Sequence, residues 1–308
     1  MSNTQVPVVL FAFNRVKQLR YTLKQLKRNN IPKLIVFVDG PRDEKEKSKV
    51  ESVVRIINNI SWTSVKLITQ KQNIGLSNSI VSGLNRVFLD YDKAIVIEDD
   101  IIVADGFYSY ICTALEAYGD RKDIAGITGL HYPLESNRLK ALDSDVYMAP
   151  RFSSWGWATW RNKWLSIDFN KESLLRNVAK NNTDLSAGGE DIALAFREWR
   201  SGRLSGCWDV IYSVNMLLSN TYFIWPKYNL ITNAGLSEGF HSDGAIDWGL
   251  NATHTGESII RMPKDIKPDK KLISDFKSYF KRPRSEKIRY FVRSARDKLR
   301  RLVYGPKQ

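Results

Sequence analysis

An α/β fold, a mostly parallel sheet flanked by helices, is what this chain predicts, and three observations carry the prediction. Short runs rich in Val and Ile alternate with segments of helical spacing. The runs are apolar at nearly every position, as in strands covered on both faces. The polar residues able to do chemistry stand just after the runs. Strands alternating with helices of about 10 to 15 residues argue for parallel pairing through crossover helices.

Residues 6–13 (V-P-V-V-L-F-A-F) read as the first strand, and residues 16–27 as a helix whose Leu19, Leu23 and Leu26 recur at steps of four and three. A second strand is expected at 34–38, a polar helix at 44–58, a third strand at 65–69 and a helix at 77–89. Residues 94–97 (A-I-V-I) have the length and β-branching of a buried fourth strand, and Glu98, Asp99 and Asp100 follow it directly. Ligands of such sheets bind at the carboxyl ends of the strands. Asn14 with Arg15, Asp39 with Gly40, and Glu98 to Asp100 all fall there. Three adjacent carboxylates repel one another, and all-oxygen ligands beside a core suit a hard divalent ion, Mg²⁺ or Mn²⁺. The other reading is a solvated turn whose acids face the next helix N-terminus.

The middle of the chain changes character. Residues 152–164 (F-S-S-W-G-W-A-T-W-R-N-K-W) hold Trp155, Trp157, Trp160 and Trp164, and Gly188-Gly189-Glu190-Asp191 precedes a helical stretch. Trp208 and Asp209 open another helical segment, and 222–225 reads as a strand. No period of 20 to 50 residues recurs, which excludes a repeat architecture. Residues 262–275 read as a polar linker and 285–304 as the last helix.

With 308 residues and 43% hydrophobic content the chain can bury a sizeable core. No apolar stretch approaches the roughly 18 to 20 residues that span a bilayer, and M-S-N-T-Q-V-P lacks the basic-then-apolar pattern of a signal peptide, so a cytosolic location is expected. Cys112 and Cys207 have no CxxC spacing and are expected to be free thiols. The net charge is +14, but residues 261–308 hold 17 Lys and Arg against 5 Asp and Glu, which leaves +2 for everything before them. Basicity confined to a tail argues against a nucleic-acid-binding domain. There is no GxGxxG after the first strand, no Walker A sequence, no HExxH and no Gly-rich entry loop of the sugar nucleotidyltransferases. What remains is a nucleotide-binding type of sheet with an acidic site, suited to an enzyme that handles a nucleoside diphosphate without hydrolysing ATP.

Taken in order, V-P-V-V-L-F-A-F-N-R, V-F-V-D-G, Q-N-I-G-L-S and I-V-I-E-D-D-I-I-V-A-D-G-F resemble the nucleotide-sugar half of the GT-A glycosyltransferases. The sequence is similar to the group around N-acetylglucosaminyltransferase I and to bacterial family-2-like enzymes of surface-polysaccharide assembly. W-G-W-A-T-W, Trp208-Asp209 and N-A-T-H-T extend the resemblance over roughly residues 5–256. It implies a GT-A fold, with residues 1–120 as the nucleotide-sugar half, 121–260 as the acceptor-binding and catalytic half, and 261–308 as a basic linker and amphipathic helix.

The resemblance also implies roles. Asp100 would bind the metal directly, with Glu98 and Asp99 contacting ribose, sugar or metal-bound water. Phe13, Asn14, Arg15 and Ser79 would lie near the nucleotide, and Asp39 would accept from the uracil ring. An inverting transferase needs a carboxylate to take the acceptor hydroxyl's proton. Asp209 is the first candidate and Asp191 the second; a retaining enzyme would need neither. His254 corresponds to a late metal or diphosphate ligand, with His241 as its competitor. Trp155, Trp157 and Glu190 would meet the acceptor, while Trp160 and Trp164 are expected in the core.

In the tail Ile288, Phe291, Val292, Ala295, Leu299, Leu302 and Val303 recur at steps of three and four between Lys and Arg residues. Such a basic amphipathic helix lies in an anionic membrane interface or docks on the domain. The expected activity is transfer of a sugar from a UDP-sugar to a saccharide, lipid-linked acceptor at the inner membrane face, with no nucleic-acid partner. A catalytically silent scaffold and a basic nucleic-acid-binding protein are the rival readings.

Overall fold

The computed structural model describes residues 5–134, 136–235, 255–259 and 261–281. In chain order its elements are β1 (Val8–Ala12), α1 (Val16–Arg28), β2 (Lys33–Val38), α2 (Glu44–Asn58), β3 (Ser64–Thr69), α3 (Leu76–Asp90), β4 (Lys93–Glu98) and β5 (Ile101–Val103). There follow α4 (Phe107–Ala117), β6 (Ile124–Thr128), α5 (Asn137–Lys140), β7 (Val146–Ala149), β8 (Trp157–Trp160), α6 (Arg161–Leu165), α7 (Lys171–Asn181) and α8 (Glu190–Arg200). The last described elements are α9 (Trp208–Leu218), β9 (Tyr222–Pro226), β10 (Ile231–Asn233), a 3₁₀ turn (Gly256–Ser258) and α10 (Lys270–Tyr279).

The fold is α/β. One mixed sheet of eight strands has the order β3-β2-β1-β4-β8-β6-β9-β7, and β5 pairs antiparallel with β10 in a small second sheet. β3, β2, β1 and β4 are mutually parallel, β6 and β9 run the same way, and β8 and β7 run against them. The expected strands and helices of the first hundred residues all form within about two residues of their expected bounds. The strong β-branching of β1, β2 and β4 is matched by their burial: Val8 to Leu10, Leu34 and Val36, and Ala94 to Ile97 are at most 1% exposed.

The helices bury the faces their spacing dictates. Leu19, Leu23 and Leu26 of α1 are at most 7% exposed, each contributing about 2 kcal/mol by removal from water. Asp43 caps α2 by accepting from Glu46 N at 3.0 Å, and Glu46 Oε2 accepts from Arg42 N, one residue before the cap, at 3.0 Å. Close packing of α3 on β1 needs Gly83, where a Cβ would lie 2.8 Å from the Phe11 ring. A smaller apolar cluster of Leu174, Ile192, Phe196, Trp199, Cys207, Ile211 and Val214 joins α7, α8 and α9.

Two departures from expectation stand out. Trp157, expected at the acceptor, is in the core: it opens β8, which is inserted between β4 and β6, and is 0% exposed. The polar linker expected at 262–275 becomes helical at Lys270, because Leu272, Phe276 and Phe280 recur every four residues and are at most 5% exposed. The rings of Phe276 and Phe280 pack on Tyr132, and that of Phe276 also on Trp225.

The order of strands reverses beside β1. The chain moves from β1 outward to β2 and β3, then returns through α3 to place β4 on the other side of β1. The carboxyl ends of β1 and β4 therefore flank a topological switch point, where open α/β sheets form a crevice for ligands.

Candidate active site

The three acids are held at this crevice by the apolar runs on both sides of them. β4 ends at Glu98, Asp99 and Asp100 form the turn, and β5 begins at Ile101. Ile97 and Ile101 are both 0% exposed and draw the turn against the core, so Asp99 and Asp100 are only 5% and 7% exposed. Thr22 Oγ1 of α1 donates to Asp99 O at 2.9 Å. Ala234 N, just past β10, donates to Asp100 O at 2.9 Å. The turn is thus pinned from two directions by its backbone.

The side chains face the end of β1. Phe13 N donates to Asp99 Oδ2 at 3.0 Å. Arg15 Nη1 donates to Asp100 Oδ2 and stands 3.6 Å from Asp99 Oδ1. Burial, then the neighbouring Asp100, pushes the Asp99 carboxyl up to about 7. Glu98 is also raised well above the usual carboxylate range, by burial first and then by Asp100 and Asp99; Asp209 adds to the rise and Arg15 opposes it. Asp209 lies in the first turn of α9. β1, β4 and α9 therefore bring Arg15, Glu98, Asp99, Asp100 and Asp209 into one electrostatic cluster.

That donor set fits a divalent cation bound in an open way. Among the described residues no group of three or more His, Cys, Asp or Glu side chains is placed to hold an ion by itself. A hard ion such as Mg²⁺ keeps few protein ligands and completes its shell with water and phosphate oxygens. Asp100 is suited to such a role, since excess negative charge is concentrated around it and shared hard-oxygen donors are what the ion takes. Gly235 closes over the same carboxylate: a Cβ there would lie 2.0 Å from Asp100 Oδ2 and 3.2 Å from Asn233 Oδ1.

The other predicted residues have distinct surroundings. Asn14 Nδ2 donates to Glu46 Oε1 at 3.1 Å, and the Arg42 guanidinium lies 5.3 Å from the centre of the Phe13 ring. Arg42 and Glu46, which sequence reasoning did not single out, therefore border the β1 end; the D-x-x-E capping pattern at 43–46 was the signal available. Asp39 is 7% exposed and accepts from Gly40 N, Ile74 N and Gly75 N, each at 2.9 Å. Of about four acceptor positions on a carboxylate, three are occupied by the backbone, so Asp39 ties the end of β2 to the loop that starts α3. Ser79 Oγ is buried with no hydrogen-bond partner among the described residues.

Asp191 is engaged elsewhere. Its two oxygens accept from Arg151 Nη1 at 2.9 Å and Nη2 at 2.6 Å. Arg151 also donates to Gly188 O at 2.9 Å and stacks 3.7 Å from the Phe280 ring centre. This is a structural clasp between the β7–β8 connection, the start of α8 and the end of α10, and both oxygens of Asp191 are taken up by the Arg151 guanidinium. Glu190 is half-buried beside it.

The tryptophans separate by register. Val96 faces Trp157 across the β4–β8 ladder, which sets Trp155 toward the carboxyl end of β4, and Trp155 is half-buried. Trp157 is stacked on Trp208 at 5.7 Å and presents no face to a saccharide. Trp160 and Trp164 are in the core as expected, at 6% and 1% exposure. Cys112 and Cys207 are free thiols, and burial pushes Cys207 up to about 11. His241, His254 and the expected helix at 285–304 lie outside the described residues. No described helix is long and apolar enough to cross a membrane.

No family model matches the chain, and neither does any curated protein sequence. Among solved structures it is similar to the mannosyltransferase PcManGT from Pyrobaculum calidifontis in complex with GDP-Man and Mn²⁺. The likeness has a TM-score of 0.46 at 12% identity and covers 77% of this chain. The chain spans 59% of the length of that structure.

Proposed function

We propose that the chain is a divalent-metal-dependent, inverting glycosyltransferase of the GT-A type that moves a sugar from a UDP-sugar to a saccharide acceptor. The observation that carries the reading is the cluster of Glu98, Asp99 and Asp100 with Arg15 at the switch point between β1 and β4, with Asp209 close enough to raise the Glu98 carboxyl. Negative charge gathered at a crevice of this kind has a use when a cation and a diphosphate share it. A dinucleotide or ATP reading lacks its glycine-rich loop in this sequence.

In this reading Asp100 would hold Mn²⁺ or Mg²⁺, which when bound would offset charge growing on the leaving diphosphate. Phe13, Asn14 and Arg15 line the donor side. Glu98 and Asp99 orient the donor's ribose and sugar. Asp209 takes the proton of the acceptor hydroxyl as that oxygen attacks the anomeric carbon; its place in the first turn of α9, where its charge reaches Glu98, supports this role over Asp191. Trp155, at the open end of β8, offers an apolar face to the acceptor ring. By the resemblance, His254 or His241 would be a further ligand of the ion. An acceptor carried on a lipid would bring the reaction to an anionic membrane surface, for which the basic helix expected at 285–304 is suited; surface-polysaccharide assembly at the inner membrane face is the setting proposed.

The test is turnover of a panel of UDP- and GDP-sugars with and without Mn²⁺, read as release of the nucleoside diphosphate. Release of UDP that depends on Mn²⁺ and is stopped by a chelator supports the reading. The absence of any metal-dependent release or hydrolysis across the panel overturns it.

A further inference from the structure

We infer that Arg15 is an exchangeable counter-cation: it neutralises the acid turn while the crevice is empty, and it is handed over to the donor's diphosphate when a divalent ion takes its place on Asp100. The inference rests on the metal–nucleotide reading above and deepens it, by stating in what combination metal and nucleotide enter.

Arg15 is the residue before the first turn of α1, and it makes no capping hydrogen bond there. Its side chain instead crosses the switch point from the β1 end to the β4 end, where it engages Asp100 Oδ2 and stands 3.6 Å from Asp99 Oδ1. The partners differ in mobility. The side chains of Asp99 and Asp100 are 7% and 10% exposed, and their backbone is pinned by Thr22 and Ala234; the Arg15 side chain is 30% exposed. When one member of this group moves, it is the guanidinium.

A guanidinium and a divalent ion seek the same oxygens. Asp100 Oδ2 cannot serve both at full strength, so Arg15 competes with a metal that arrives alone. A nucleoside diphosphate changes the balance, because pairs of its anionic phosphate oxygens accept two parallel hydrogen bonds from the planar guanidinium. Arg15 then exchanges one anion for another without leaving the crevice, and the acids exchange one cation for another. The consequence is positive coupling between metal and nucleotide: the ion alone binds weakly, and ion with diphosphate binds well. By linkage the coupling is reciprocal.

Removing Arg15 separates this role from a purely structural one, since the two ligands should respond in opposite directions. In Arg15→Gln the acid turn loses its internal cation, and Mn²⁺ alone should bind roughly tenfold tighter, within the usual range of a coupling free energy. UDP at saturating Mn²⁺ should bind roughly tenfold weaker. Arg15→Lys keeps the charge but not the paired donors. It should leave affinity for Mn²⁺ alone near that of the unaltered chain and still weaken UDP. Electron paramagnetic resonance of unbound Mn²⁺ reads the first affinity, and calorimetric titration with UDP reads the second. If Arg15→Gln weakens both ligands together, or leaves Mn²⁺ binding unchanged, the exchange is wrong while the metal–nucleotide reading stands. If the unaltered chain binds no UDP at any Mn²⁺ concentration, that reading fails and the exchange fails with it.

Discussion

Asp191 and Asp209 are both acids in the first turn of a helix that opens with an acidic motif, and their substitutions should give opposite phenotypes. Asp191 accepts both terminal nitrogens of Arg151, with side-chain exposures of 24% and 12%. Neutralising one member of a buried, hydrogen-bonded ion pair leaves the other charge uncompensated and costs roughly 3 to 5 kcal/mol. Arg151 keeps Gly188 O and the face of Phe280, which favours the lower end of that range. At about 2 to 3 °C per kcal/mol for a chain of this size, Asp191→Ala should lower the midpoint of thermal unfolding by about 6 to 10 °C. Asp191→Asn, which retains one acceptor, should lower it by about half as much. Circular dichroism reads the midpoint, and kcat measured well below it should stay within about threefold of the unaltered enzyme. A fall in kcat of orders of magnitude with an unchanged midpoint would refute the clasp and make Asp191 the base.

Further outcomes follow from the same geometry. Asp209→Asn should reduce kcat by about 10² to 10⁴ while calorimetry finds UDP affinity within about twofold; retention of full activity would sink the assignment. Without divalent metal, stability should fall as pH rises from about 4 to about 7. The Asp99 carboxyl sits at about 7 folded against 3.8 when unperturbed, so across that window the native state holds a proton that the unfolded state has lost. This contribution is full below the unfolded value and gone above the folded one, and three pH units correspond to an upper limit of about 4 kcal/mol. Glu98 acts in the same direction. Urea unfolding at pH 5 and pH 8 checks the sign, and Mn²⁺ should raise the midpoint more at pH 8. Gly235→Ala, whose Cβ would meet Asp100 Oδ2, should weaken Mn²⁺-dependent UDP binding with the thermal midpoint within about 2 °C; undiminished binding would mean that the Asp100 carboxylate is not used.

Much of the fold was legible because local signals agreed. The β-branched runs of β1, β2 and β4 and the leucine spacing of α1 each admit one element type, and alternation supplies the parallel sheet. The site's location was legible for the same reason: Arg15 and the acids of 98–100 are the polar residues immediately beyond those runs. What escaped depends on pairing between distant segments. Nothing near Trp157 announces that its strand inserts between β4 and β6, so Trp157 reads as an acceptor contact. The partner of Asp191 is 40 positions away at Arg151, and the amides that occupy Asp39 come from 74 and 75. A carboxylate's role is set by what faces it, and those neighbours are invisible along the chain. α10 was hidden by its own lysines: Leu272, Phe276 and Phe280 form a narrow buried stripe in a segment where Lys, Ser and Asp fill most other positions.

The assignment of the acid turn to a metal–diphosphate site is tested most directly by calorimetric titration of UDP into the unaltered chain and into Asp100→Asn, each with and without Mn²⁺. The unaltered chain should bind UDP at least roughly tenfold tighter with Mn²⁺ than without it, and Asp100→Asn should lose that difference. Equal UDP binding with and without Mn²⁺ in the unaltered chain, or full metal dependence retained in Asp100→Asn, would contradict it.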